Sequence, residues 1–256
     1  MTTDSHVENV ARLYDSLALN GPYGTLAPDN LGGRKSRYIS AVFDEALLPI
    51  LQDRAGADEV LLDYGCGTGI FSIKAAKYVG KVLGVDVSPS MLEWGRRLDS
   101  MNQSIDWILA DGVTIPLPDA SCNWVVARES LCYVPAPALP DVLTEIHRVL
   151  KPGGCFLWLE QVSDNPAFRV HPDAPLLEKR SAKQLIEAAE RSGLILESST
   201  CVREPRFPWI YLIWAGLVPE RMTKVLARWE VKYNRKHGKI ASRRWKDALL
   251  EFTKPD

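Results

Sequence analysis

The chain has 256 residues, 46% of them apolar and 25% charged, and a net charge of −1. That length suits one α/β domain with embellishments, and the composition excludes a disordered or fibrous chain. No apolar run approaches the roughly 20 residues of a membrane span, and no apolar leader opens the chain, so a cytoplasmic protein is expected. The five cysteines form no CxxC pair and read as buried free thiols.

In chain order, a first helix fits Asp4 or Ser5 to Leu19, with Val10, Leu13, Tyr14 and Leu17 on one face. The turn-rich segment Asn20–Gly33 follows, then a helix over Ser36–Leu51. Strands are expected at Glu59–Tyr64, Lys81–Val87, Ile105–Ala110, Asn123–Arg128, Gly154–Val162, Leu194–Val202 and Lys246–Thr253. Helices fit Ile70–Val79, Pro89–Ser100, Ala138–Leu150 and Ser181–Ser192, and "KPGG" at Lys151–Gly154 reads as a turn. The alternation predicts an α/β fold, a doubly wound and mostly parallel seven-stranded sheet. The parts are residues 1–54 as an N-terminal helical lid, 55–204 as the core, 205–242 as a cap insertion and 243–256 as the last strand.

"VLLDYGCGTGIFS" (Val60–Ser72) is a strand, a glycine loop and a helix start. Glycine at 65, 67 and 69 permits a tight turn and close approach of a ligand to the backbone. The following helix N-terminus favours a negative group. The second strand ends in "LGVDVSP", where the Asp86 carboxylate can accept from both hydroxyls of a ribose. These two features alone leave nicotinamide dinucleotides open.

The stretch from Asp63 through Gly65, Gly67 and Gly69 resembles motif I of the class I S-adenosylmethionine (SAM)-dependent methyltransferases. The resemblance continues through "GVDVSPSMLEWGRR", "ILADGVTIPLPDASCNWVVARESLCYV" and "LTEIHRVLKPGGCFLWLE", about Val60 to Glu160. It is nearest to the small-molecule methyltransferases that include those of ubiquinone and menaquinone biosynthesis. The resemblance implies a Rossmann-like fold and SAM as cofactor. It also implies a cofactor set of Asp63, Gly65, Cys66, Gly67, Gly69, Asp86, Val87, Met91, Asp111, Gly112 and Arg128. Asp63 would support the loop and the methionine ammonium, Asp86 the ribose, and Val87 and Met91 the adenine faces. Asp111 would accept from the adenine amino group, and backbone near Ala127 and Arg128 would line the methionine side.

Three residues are candidates for the chemistry. Glu129 follows the fourth strand at the cofactor rim. His171 falls in a proline-rich loop after the fifth strand. Tyr14, in "LYDSLA", resembles the YD stretch of an N-terminal helix that folds over the cofactor. No metal is expected, because "ESLCYV" lacks the later Glu-His of the metal-binding relatives.

Pro205–Ile240 is an insertion of aromatics followed by a basic helix. Pro219–Lys246 carries a net +8, against −9 for the rest. Arg221, Lys224 and Arg228 recur at spacings of three and four and share a helical face. They could hold an anionic part of the acceptor, form a solvated face, or meet an anionic membrane surface. Nucleic acid is disfavoured, since no "NPPY"-type motif follows the fourth strand. The sequence therefore predicts a methyltransferase for a small-molecule acceptor, in the manner of secondary metabolism. The alternatives are a phosphorylated, sugar- or lipid-linked anionic acceptor, or a SAM-binding protein without catalysis.

Overall fold

The computed structural model describes residues 3–23, 33–100, 105–165, 176–204 and 209–256. Strands β1 (Val60–Tyr64), β2 (Lys81–Asp86), β3 (Ile105–Leu109), β4 (Cys122–Arg128), β5 (Leu150–Val162), β6 (Ile195–Arg203) and β7 (Lys246–Thr253) form one sheet. Its order is β3-β2-β1-β4-β5-β7-β6. β7 runs antiparallel to both neighbours and the other pairings are parallel. Strand order reverses between β1 and β4, and ligands bind beyond the carboxyl ends of strands at such a point.

Successive residues of the central strands feed opposite faces, as a doubly covered sheet requires. Leu62, Val125, Phe156 and Trp158 pack under α5 (Leu139–Val149) and α6 (Ala182–Arg191). Leu61, Val126, Leu157 and Leu159 pack under α2 (Arg34–Arg54), α3 (Ile70–Ala75), α7 (Trp209–Trp214) and α8 (Glu220–His237). The remaining helices, α1 (Thr3–Ala18) and α4 (Pro89–Leu98), lie against each other. All five cysteines are buried and free.

The seven expected strands and the covering helices are present, with differences at their ends. Helix α3 stops at Ala75, where Tyr78 N donates to Ala75 O and tightens the last turn. The "KPGG" turn lies within β5. Cys122 sits opposite Leu150 but Trp124 opposite Cys155, so Lys151–Gly154 bulge out of the ladder. Ser181 caps α6 in a reciprocal capping box with Gln184, as its sequence suggests. Helix α2 is built into the core, with Val42, Ala46, Leu47 and Leu51 fully buried.

Candidate functional site

A cavity of about 890 Å³ opens beyond the carboxyl ends of β1, β2 and β4. At Gly65 and Gly69, both at positive φ, an added Cβ would lie 2.3 Å from Ser130 Cβ and 2.0 Å from the Trp107 ring. Those two positions are closed by the protein itself. Gly67, at φ 55°, is different: a Cβ there would meet nothing within 4 Å. It faces the cavity, so the bare backbone at Gly67 leaves room for a ligand.

Asp86 holds the loop in place. Its Oδ2 accepts from Gly67 N at 2.8 Å and its Oδ1 from Ser88 N at 2.9 Å. Each oxygen keeps a further lone pair for a ligand hydroxyl. Burial pushes this carboxyl up to about 6, while the N–H groups of Ser88 and Gly67 hold it down. A nucleoside ribose fits this arrangement.

Gly65, Cys66, Gly67, Asp86, Val87, Gly112, Arg128, Glu129 and Tyr14 all line the cavity. Asp63, Gly69, Met91 and Asp111 do not. Asp63 is buried behind the loop, where it accepts from Ser72 Oγ, and burial raises its carboxyl against the opposing pull of Arg128 and Ser72. Met91 is fully buried, and its N–H donates to Ser88 Oγ. Asp111 accepts from Val113 N and Thr114 N at 2.8 and 2.7 Å, which makes it the holder of a turn. His171 lies outside the described residues.

Helix α1 forms one wall through Val7, Val10, Leu13, Tyr14 and Leu17. Tyr14 meets Tyr133 edge to face, with centroids 5.2 Å apart. The helix is latched by a residue that sequence reasoning missed, Asp15. Its Oδ1 accepts from Ser88 Oγ at 2.6 Å and Ser90 N at 3.2 Å, at the start of α4. Trp94 Nε1 donates to Ala18 O, and Thr68 Oγ1 to Pro22 O, each at 2.9 Å. In the YD pair, the tyrosine lines the cavity and the aspartate fastens the helix. In Asp15→Ala, two bonds to a charged acceptor vanish, and α1 amides should exchange roughly tenfold faster. Unchanged exchange would contradict the latch.

At the far end of the cavity only Glu129 is among the residues singled out from the sequence. Glu129, Glu160, Lys179, Arg203, Glu204 and Glu230 line it, beside Tyr38 and Trp245. Arg203 pairs with buried Asp247, and Lys246 with Glu204 at 3.4 Å, so β6 and β7 form a charged floor. Tyr38 donates its hydroxyl to Glu230, tying α2 to α8. Glu160 Oε2 accepts from Cys132 N at 3.0 Å and Trp158 Nε1 at 3.3 Å. Glu129 sits at φ 52°, the left-handed region, immediately after β4. A non-glycine residue there carries strain of order 1–3 kcal/mol, a feature concentrated at functional sites. Burial, then Asp247 and Glu160, raise its carboxyl well above the ordinary range. Among the described residues, no three His, Cys, Asp or Glu side chains are grouped to hold a metal ion.

Burial also pushes Glu160 and Glu230 up to about 7. Both bind their protons more tightly folded than unfolded. Their contribution to stability is full below the ordinary value near 4.5 and lost as pH rises through about 7. The melting temperature should therefore fall between pH 5 and 8. Glu230→Gln should flatten that fall; an identical pH profile in the variant would contradict it.

The basic triple of α8 lies elsewhere. Arg221, Lys224 and Arg228 are absent from the cavity wall, to which α8 contributes Glu230. Arg228 pairs with Glu45 of α2 at 2.9 Å, and Lys224 borders a separate cleft along α2. The inward stripe is Ala227, Glu230, Val231 and Asn234. That stripe is visible in the sequence at helical spacing, but its glutamate disguised it.

Residues 62–158 match a family model described as a methyltransferase domain. The demethylmenaquinone methyltransferase of Symbiobacterium thermophilum is 41% identical over 106 residues, 39% of this chain and 41% of that protein. The 24-methylenesterol C-methyltransferase 2 of Oryza sativa subsp. japonica is 31% identical over 199 residues, 70% of this chain and 53% of that protein. The chain thus spans about half, or less, of the length of these curated relatives. Among solved structures, geranyl diphosphate C-methyltransferase from Streptomyces coelicolor A3(2) superposes with a TM-score of 0.68 at 18% identity, over 97% of each chain. The [4+2]-cyclase SpnF superposes with a TM-score of 0.67 at 22% identity, also over 97% of each. The motif order, the sheet order, the cradle at Gly67 and Asp86 and these likenesses agree: residues 62–158 of the chain are a methyltransferase domain, on the fold of a methyltransferase solved with S-adenosyl-L-homocysteine.

Proposed function

We propose that the protein transfers the methyl group of SAM to an uncharged small molecule with an apolar body. The observation that supports this reading is the continuity of one cavity. It runs from the glycine loop to the Glu129 end, and at about 890 Å³ it is near the upper limit of ordinary ligand sites, about 300–1,000 Å³. That leaves space for an acceptor beside a cofactor. SAM, when bound, supplies a methyl group made electrophilic by its sulfonium.

The chain's own residues then have distinct tasks. Asp86 and the Gly67 backbone orient the nucleoside, and the loop behind them rests on Asp63. Tyr14 and Tyr133 cover the cavity and exclude water. Val134, Leu177, Ile210 and Trp245 offer an apolar wall to the acceptor. Glu129 takes the proton that the acceptor loses as its new bond to the methyl carbon forms and the S–C bond breaks. The electron pair of the broken bond stays on sulfur.

The relatives' names point to acceptors with large apolar bodies: a demethylmenaquinone, a sterol, geranyl diphosphate. An anionic acceptor is less favoured, because Arg203 is paired with Asp247 and four glutamates share that end. A non-catalytic reading remains distinct, a chain that binds SAM in this cavity and methylates nothing, since fold alone does not fix function. The test is turnover with SAM and a panel of quinones, sterols and isoprenoid alcohols. The reading expects S-adenosylhomocysteine to form in step with a singly methylated product. Binding of SAM without acceptor-dependent turnover on any member would favour the non-catalytic reading.

A further inference from the structure

Most of the large apolar side chains exposed among the described residues belong to one segment, α7 to α8. Tyr211, Trp214 and Leu217 are 70%, 43% and 72% exposed, and on α8 Met222, Val225 and Trp229 are 39%, 57% and 48% exposed. Soluble proteins rarely gather such residues in a contiguous patch without a partner.

The helical spacing of α8 sharpens the point. Its buried stripe is Ala227, Glu230, Val231 and Asn234. Met222, Val225 and Trp229 recur at spacings of three and four on the opposite face. Arg221, Lys232 and Lys236 share that outer face, and no salt bridge involving any of them is found among the described residues. The helix therefore has two apolar faces, one in the core and one outside, and the outer one is cationic. Trp229 is braced by Trp209 at 6.5 Å and stacked on Tyr233 at 5.5 Å, so its indole is held in place. Pro219–Lys246 carries +8 in a chain whose remainder is −9.

We propose that the outer face of α7 and α8 docks on an anionic lipid surface. Lysine and arginine around bulky apolar side chains is the composition of a helix lying in a bilayer interface. Charge complementarity selects the partner: the face is positive, while the rest of the chain is negative and would be repelled. The lipid surface therefore also orients the molecule. Among the described residues, no helix is long and apolar enough to cross a membrane, so docking is peripheral. The exposed Tyr211 and its neighbour Ile210 also line the cavity, which places a rim of the cavity at the docked face. The inference concerns the outer surface alone and stands whatever the acceptor proves to be.

The experiment is co-sedimentation of the full chain with vesicles of phosphatidylcholine alone or with about a third phosphatidylglycerol. Association is expected only with the anionic vesicles and should weaken in high salt, as the Debye length shrinks from roughly 8 Å to roughly 3 Å. Each cation near such a surface contributes about fivefold to partitioning. The triple variant Arg221→Gln, Lys232→Gln, Lys236→Gln should thus partition on the order of a hundredfold less. Its SAM affinity should be unchanged, which also reports correct folding. Leu217→Ser with Val225→Ser should lose association at equal charge. Three results would overturn the proposal: no binding to anionic vesicles, equal binding by the triple variant, or a preference for duplex nucleic acid over vesicles. So would a concentration-dependent dimer that the serine variant abolishes, since a second copy would then cover this face.

Discussion

Asp86→Ala should raise the dissociation constant for SAM by at least about a hundredfold, a loss of roughly 2.7 kcal/mol. Two effects combine. The carboxylate is positioned to accept from the ribose, and hydrogen bonds to a charged group contribute about 1.5–3 kcal/mol. It also accepts from Gly67 N and Ser88 N, so its removal frees the loop that must lie against the cofactor. Asp86→Asn separates the two. It retains one acceptor oxygen but turns an N–H₂ group toward a backbone donor, so most of the affinity should still be lost. Calorimetric titration checks both, and wild-type affinity in either variant would refute the assignment of Asp86. Because burial pushes its carboxyl up to about 6, affinity should also fall as pH drops through 6.

Glu129→Gln should lower kcat by about 10²- to 10⁴-fold and leave SAM affinity nearly unchanged, as expected for a base that acts on the acceptor. Only the carboxylate accepts a proton. Since burial and its acidic neighbours Asp247 and Glu160 raise this group, kcat should climb with pH in the wild type. The variant should lose that slope. A second substitution tests the backbone: Glu129→Gly removes the positive-φ strain at 52° and a buried carboxyl together. It should raise the melting temperature by about 2–4 °C while abolishing turnover. A glycine variant that is less stable, or a glutamine variant with wild-type kcat, would show that Glu129 is retained for the fold.

The sequence displays what repeats or punctuates. Alternating apolar runs place the strands within a few residues, and glycines mark where backbone must approach something. Its limits lie in partners far apart along the chain. Asp15 acquires its task only because Ser88 and Ser90 stand across from it. Trp107 lies in an ordinary strand pattern, yet its ring fills the space left by Gly69, Gly84 and Gly95. Helical spacing correctly groups Arg221, Lys224 and Arg228, but spacing does not say which face turns inward. The apolar stripe around Glu230 decides that, and it turns the basic triple away from the cavity. The acceptor end is assembled from Tyr38, Glu129, Glu160, Arg203 and Glu230, drawn from four elements and one strand end. No local motif encodes such a set.

The central claim is that one cavity holds SAM at the Gly67–Asp86 end and an acceptor at the Glu129 end. A crystal structure of the protein with S-adenosylhomocysteine tests it most directly. The account predicts ribose hydroxyls within hydrogen-bonding distance of the Asp86 carboxylate, the nucleoside against Gly67, and the sulfur directed toward Glu129 and Tyr133. A ligand bound with its sulfur turned away from Glu129, or held outside this cavity, would contradict it.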